Sequence, residues 1–204
     1  MNEPVIHLID DDEAIRRSVG FLLRRSGFEV VTYISGIEFL SSVKTAATGC
    51  VLLDIRMPAM DGLEVQRAMI DRGIAMPIIM LTGHGEIALA VRAMKAGAID
   101  FIEKPFEKSV LLAAIEQAFS RLNGTDRHRQ DAVEAGVQLA ALTPRERNVL
   151  EGLVRGLPNK TIAYDLGISP RTVEVHRSNL MHKLGAGSLS EVLRVAFSAG
   201  LGVD

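Results

Sequence analysis

Cys50-Val51-Leu52-Leu53-Asp54 is four apolar residues stopped by a carboxylate. A run of that length, bounded by turn residues, reads as a strand buried on both faces. An acid placed directly on its end is costly unless a site uses it. Three more runs end at or beside a polar or charged side chain. Residues 5–9 lead into Asp10, Asp11 and Asp12, residues 78–81 into Thr82, and residues 99–102 toward Lys104. Amphipathic stretches separate them; residues 12–26 put Ile15, Val19, Leu22 and Leu23 on one face. Residues 36–43, 63–70, 88–95 and 109–122 continue the alternation. Five such βα units imply an α/β three-layer sandwich around a five-stranded parallel sheet, with right-handed crossovers. In that architecture the C-terminal strand ends share one rim, and ligands bind there. Asp10, Asp11, Asp54, Thr82 and Lys104 are therefore expected in a single pocket.

The side chains gathered on that rim fit metal-assisted phosphoryl chemistry. Clustered carboxylates repel, so either their pKa values rise or a cation neutralises them. Carboxylates with water suit Mg²⁺. Asp11 and Asp54 are expected to ligate it with the backbone carbonyl of Arg56, and Asp10 to act through water. Asp54 would then serve as a nucleophile forming an acyl phosphate. Lys104 would face the phosphoryl group as a compact cation, and the Thr82 hydroxyl would donate to one of its oxygens. Taken singly, each feature has a plain structural reading. Acids favour helix N-termini, Lys104-Pro105 resembles a strand end, and Thr82 resembles a cap. Four strand ends carrying the required groups together argue for a site.

Composition narrows the class. The 204 residues are 48% hydrophobic with a net charge of −2, which supports a substantial core and argues against global disorder. No apolar stretch reaches membrane-spanning length, and residues 1–9 run straight into three acids. Neither a signal peptide nor an anchor is expected, so the expected compartment is the cytoplasm with no membrane partner. The single cysteine, Cys50, lies inside an apolar run and reads as a small buried hydrophobe. Residues 1–122 carry 13 Lys and Arg against 16 Asp and Glu, whereas residues 142–204 carry 8 against 6. That asymmetry favours nucleic acid at the second end only weakly.

Character changes near Asn123-Gly124. Residues 123–141 are polar and alanine-rich without core periodicity and read as a linker, helical in part. From Leu142 onward the pattern is all helical. Thr143-Pro144-Arg145-Glu146 is an N-cap signature, and Gly156, Gly167 and the Ser169-Pro170 cap divide the helices that follow. A short helix, a glycine turn and a longer helix opened by Ser-Pro follow helix-turn-helix grammar. The cap presents the first turn of the longer helix to a DNA major groove. Val173, Leu180 and Leu184 are expected in the core, and so is most of the apolar face of the last helix.

Residues 1–122 resemble a response-regulator receiver domain. Asp10-Asp11, Asp54, Thr82 and Lys104 stand at the signature positions, within Leu53-Asp54-Ile55-Arg56-Met57-Pro58 and Asp100-Phe101-Ile102-Glu103-Lys104-Pro105-Phe106. That resemblance implies phosphorylation of Asp54 by a sensor histidine kinase and a cis Lys104-Pro105 bond. It also implies a switch in which Phe101 swings inward as Thr82 moves. Arg56 and His84 would flank the acyl phosphate and set its lifetime. Residues 142–204 resemble a LuxR-type helix-turn-helix through Leu142-Thr143-Pro144-Arg145-Glu146-Arg147, Asn159-Lys160-Thr161-Ile162-Ala163 and Ser169-Pro170-Arg171-Thr172-Val173-Glu174-Val175-His176. Glu174, Val175 and Ser178 share an outward face and become candidate base readers of double-stranded DNA. Lys160, Arg171, Thr172, Arg177 and Lys183 are candidates for phosphates.

The whole chain is similar to the FixJ group of two-domain regulators. The similarity implies a homodimer on phosphorylation, and RNA polymerase as a partner in transcription. Two other readings stay open at this point. One is a phosphatase or phosphotransferase using the same acidic pocket. The other is a receiver joined to an effector that does not bind DNA.

Overall fold

The computed structural model describes residues 5–43, 48–83, 87–122 and 128–202. The first elements are β1 (Val5–Ile9), α1 (Glu13–Arg25), β2 (Val30–Tyr33), α2 (Gly36–Ser42), β3 (Gly49–Asp54) and α3 (Gly62–Asp71). Then come β4 (Ile78–Thr82), α4 (Ile87–Lys95), β5 (Asp100–Glu103) and α5 (Lys108–Leu122). Five further helices follow among the described residues: α6 (His128–Ala140), α7 (Pro144–Val154), α8 (Asn159–Leu166), α9 (Pro170–Leu184) and α10 (Leu189–Ser198).

The strands form one parallel five-stranded sheet in the order β2-β1-β3-β4-β5. Strands β1, β3 and β4 are buried at every position, as expected where helices cover both faces. Ile6, Leu8, Cys50, Leu52, Ile79 and Leu81 pack with Val19 and Leu23 of α1 and with Leu111 and Ile115 of α5. The other strand faces, with His7, Leu53 and Met80, are equally buried. Burial pushes the Cys50 thiol up to about 12, in keeping with its expected role as a small hydrophobe. Strand β2 is the edge and exposes Val31 and Thr32 in its middle, so it lacks a continuous apolar run.

The chain divides into two compact units, Met1–Gly85 with Ala96–Thr125, and Glu86–Lys95 with Asp126–Asp204. From sequence, residues 1–122 are expected as one domain and residues 142–204 as another. The stretch expected as a partly helical linker contains α6. On that helix Ala135 and Leu139 are buried one turn apart. The side chain of Gln138 donates to the Leu184 carbonyl at 3.4 Å, and Arg147 donates to the Leu139 carbonyl at 3.3 Å. Among the α6 residues whose burial is described, Ala135 and Leu139, four apart, are the buried ones, too few to show as a stripe in sequence.

Capping fixes the helices of the second unit. Thr143 and Glu146 satisfy each other's backbone N–H groups at the start of α7. The Ser169 and Ser188 hydroxyls cap α9 and α10. Gly167 closes α8 at φ 64°, a left-handed conformation that glycine adopts without a Cβ penalty. Val173, Leu180 and Leu184 are buried as expected. In α10, Val192 and Leu193 are buried while Leu189 and Phe197 are half-buried. Among the described residues no helix is long and apolar enough to cross a membrane.

Candidate functional site

The strand order turns back on itself between β1 and β3, which is the switch point of this topology. Register then places the acids. Ile9 pairs with Leu53, so Asp10 and Asp54 follow on neighbouring strands. Thr82 pairs with Glu103, which puts Lys104 just past it on the same rim. Asp10, Asp54 and Thr82 are 1%, 6% and 3% exposed, while Asp11 is open to solvent.

One carboxylate oxygen from each of Asp10, Asp11 and Asp54 lies within 4.8 Å of the others. The Lys104 ammonium donates to Asp10 Oδ2 at 2.7 Å and also to Asp54 Oδ1. Asp10 Oδ1 accepts the Asp12 backbone N–H at 2.9 Å, so both Asp10 oxygens already have partners. Asp12 caps α1, its Oδ1 accepting from Ala14 N at 2.7 Å. That is the plain helix-start role for one of the three acids. Arg16, unremarked in the sequence, donates to the Asp10 carbonyl at 2.7 Å. It sits one turn into a charged helix, where an arginine looks like any solvated one.

Gly62 matters more than its place in a turn implies. A Cβ there would stand 2.4 Å from the Asp54 carbonyl oxygen. Glycine thus lets the start of α3 close against the backbone that carries Asp54. The Asp61–Glu64 capping box begins α3 at the same point. Ala59, in the loop between Asp54 and α3, takes φ 67°. The Lys104-Pro105 bond is cis, as the receiver resemblance implies.

Burial drives the Asp54 carboxyl above its ordinary value, and the hydrogen bond and charge of Lys104 only partly oppose it. Neighbouring Asp10 and Asp11 push the same way as burial. For Lys104 burial acts to lower the pKa, yet hydrogen bonds to Asp10 and Asp54 raise it overall. Three carboxylates against one ammonium leave the pocket short of positive charge. The donor set is all oxygen, which fits a hard divalent cation of the Mg²⁺ kind.

The remaining pocket residues fall around this centre. Thr82 Oγ1 donates to the Gly83 carbonyl at 3.2 Å. Phe101 is half-buried on β5, and Arg56 is exposed two residues beyond Asp54. His84 lies outside the described residues.

In the second unit α8 and α9 form the turn expected from sequence. Lys160, Arg171, Glu174, Val175 and Ser178 are exposed. Val175 is 53% exposed, a large apolar side chain turned to solvent. Thr172 is half-buried, and its hydroxyl shares a 2.8 Å hydrogen bond with Ser169 at the cap. Arg177 donates to Asn159 Oδ1 at 2.8 Å. Lys183 pairs with the buried Glu146 carboxylate at 2.8 Å and so ties α9 to the capping box of α7. The hydrogen bond from Lys183 holds Glu146 below the ordinary carboxylate value, against the effect of burial.

Comparison with known proteins agrees with this geometry. Residues 6–116 match the response regulator receiver domain, and residues 140–196 match the bacterial regulatory proteins of the luxR family. The chain is 48% identical to the transcriptional regulatory protein FixJ of Azorhizobium caulinodans, covering 96% of this chain and 93% of that one. It is 46% identical to FixJ of Rhizobium meliloti, covering 99% of each. Full-length FixJ from B. japonicum, a solved structure, matches at TM-score 0.59 and 45% identity over 98% of both chains. Fold, pocket and helix-turn-helix together define a two-component response regulator. The chain belongs to the FixJ-like group, in which a receiver is joined to a LuxR-type DNA-binding domain for transcription regulation. A histidine kinase and DNA are the partners that this pairing of domains implies.

Proposed function

We propose that Asp54 is the phosphoacceptor and that its phosphorylation governs DNA reading by α9. The observation that carries this is the junction of Asp10, Asp11 and Asp54 within 4.8 Å, with Lys104 bonded to two of them. An Asp54 carboxylate oxygen attacks phosphorus, and the P–N bond of the kinase phosphohistidine breaks. The departing imidazole nitrogen keeps the bonding pair and takes up a proton. Mg²⁺, held by Asp11, Asp54 and the Arg56 carbonyl with Asp10 behind, would neutralise the carboxylates and the phosphoryl oxygens. Lys104 turns from Asp54 toward the new phosphoryl group. Thr82 turns its hydroxyl from Gly83 to a phosphoryl oxygen, and Phe101 follows inward. Arg56 and His84 set how fast water removes the phosphoryl group.

Phosphorylated receivers pair, and the pair brings two helix-turn-helix modules to two half-sites by avidity. Glu174, Val175 and Ser178 read base edges: glutamate accepts from cytosine N4 and valine meets a thymine methyl. Lys160, Arg171, Thr172, Arg177 and Lys183 serve the phosphates, with Lys183 contributing least because Glu146 holds it. Activation through RNA polymerase completes the reading.

The test is intact mass after incubation with acetyl phosphate and Mg²⁺. One added phosphoryl group on the natural chain and none on Asp54→Asn is expected. An adduct on both would move the acceptor elsewhere, and none on either would remove the phosphoacceptor role.

A further inference from the structure

Arg177 occupies a costly position for a cation. Val173, Leu180 and Leu184 are the buried residues of α9, and Arg177 falls on their stripe, one turn from Val173 and from Leu180. It is half-buried there. Taking a guanidinium out of water is unfavourable unless its donors are used. One donor reaches Asn159 Oδ1 at 2.8 Å, on the first residue of α8. In helix-turn-helix modules the first helix crosses the DNA backbone while the second lies in the groove. A guanidinium held at the start of α8 is therefore placed for the backbone rather than for base edges.

The acceptor type points the same way. A carboxylate at position 159 would bind the guanidinium more strongly and would make the better clamp between α8 and α9. It would also cancel the charge that a phosphate requires. Asparagine fixes the direction of the guanidinium without adding a second carboxylate to Glu174, whose charge already acts on Arg177. We infer that Asn159 is a positioning residue, holding Arg177 so that its other N–H donors meet a DNA phosphate beside the start of α8. This rests on the DNA reading proposed above.

The experiment uses the full chain treated with acetyl phosphate and Mg²⁺, titrated onto a short mixed-sequence duplex at several salt concentrations. Thermal melting is recorded in parallel. Arg177→Gln is expected to weaken binding about tenfold and to flatten the salt slope by about 0.9 per module. Asn159→Ala weakens binding severalfold, but adds nothing once Arg177 is already Gln. Asn159→Asp keeps the hydrogen bond and melts no lower than the natural chain, yet weakens binding at least as much as Asn159→Ala. The inference is overturned if Asn159→Asp binds like the natural chain. It is also overturned if Asn159→Ala melts lower with affinity and slope unchanged, which is the signature of a clamp alone. Arg171→Gln separates the two levels. If it weakens binding while the Asn159 and Arg177 variants do not, DNA reading stands and this inference falls. If the natural chain binds no duplex, both fall.

Discussion

Asp54 answers two opposing demands with one carboxyl group. As the proposed phosphoacceptor it has to be ionised to attack phosphorus, yet burial raises its pKa above the ordinary 3.8. A carboxyl whose pKa is raised on folding holds its proton more tightly in the folded chain than in the unfolded one. Its contribution to stability therefore falls as pH climbs from 3.8 through the raised value, and returns on acidification. Asp54→Asn is thus expected to melt higher than the natural chain at neutral pH in metal-free buffer. The gap should close as the pH drops below the ordinary carboxylate range. Melting curves of both proteins across that range decide it, and a variant that melts lower at neutral pH would contradict the account. The acids of the pocket could be read from sequence because a carboxylate on an apolar run is expensive. Gly62 and Arg16 could not, since each acts on a backbone carbonyl that only the folded chain brings near.

Helices and strands differed in how openly they declared themselves. Strands β1, β3 and β4 are buried on both faces and so appear as unbroken apolar runs. Edge strand β2 and helix α6 each bury only two of their described positions, and neither leaves a pattern that stands out from loop. Helix α7 shows the opposite case, because its capping box is visible in four consecutive residues. Sequence did not show that Lys183, far along the chain, would complete that box by pairing with Glu146. The pair makes a testable element-level claim. Glu146 is held below its ordinary 4.5, so its stabilisation is present above that value and is lost as pH falls through the lowered one. Lys183→Met should destabilise the second unit by about 1–2 kcal/mol at neutral pH. The difference should shrink on acidification below 4.5, as Glu146 takes up its proton. Denaturant titration of both proteins checks this; equal stability at neutral pH would show the pair to be idle.

For the molecule as a whole, the charge is too modest for one module to grip DNA alone. Residues 142–204 hold 8 bases against 6 acids, one of which, Glu146, is paired with Lys183. On the function proposed above, operator affinity comes from two modules acting together and therefore from receiver pairing. Sedimentation should show the chain shifting toward dimer after acetyl phosphate with Mg²⁺, and Asp54→Asn remaining where it began. A dimer that forms equally in both proteins would detach assembly from phosphorylation.

Lys104, bonded to Asp10 and Asp54, has a further consequence. The pocket carries its own counter-ion, so its two most buried acids are satisfied by a side chain that the chain always possesses. Folding of this domain then owes little to dissolved ions, unlike small modules that collapse when stripped of zinc. A chelator should abolish phosphoryl transfer while leaving in place the circular dichroism spectrum and a cooperative melting transition, lowered only by the lost linkage to bound cation. Restoring Mg²⁺ should bring transfer back without any refolding lag.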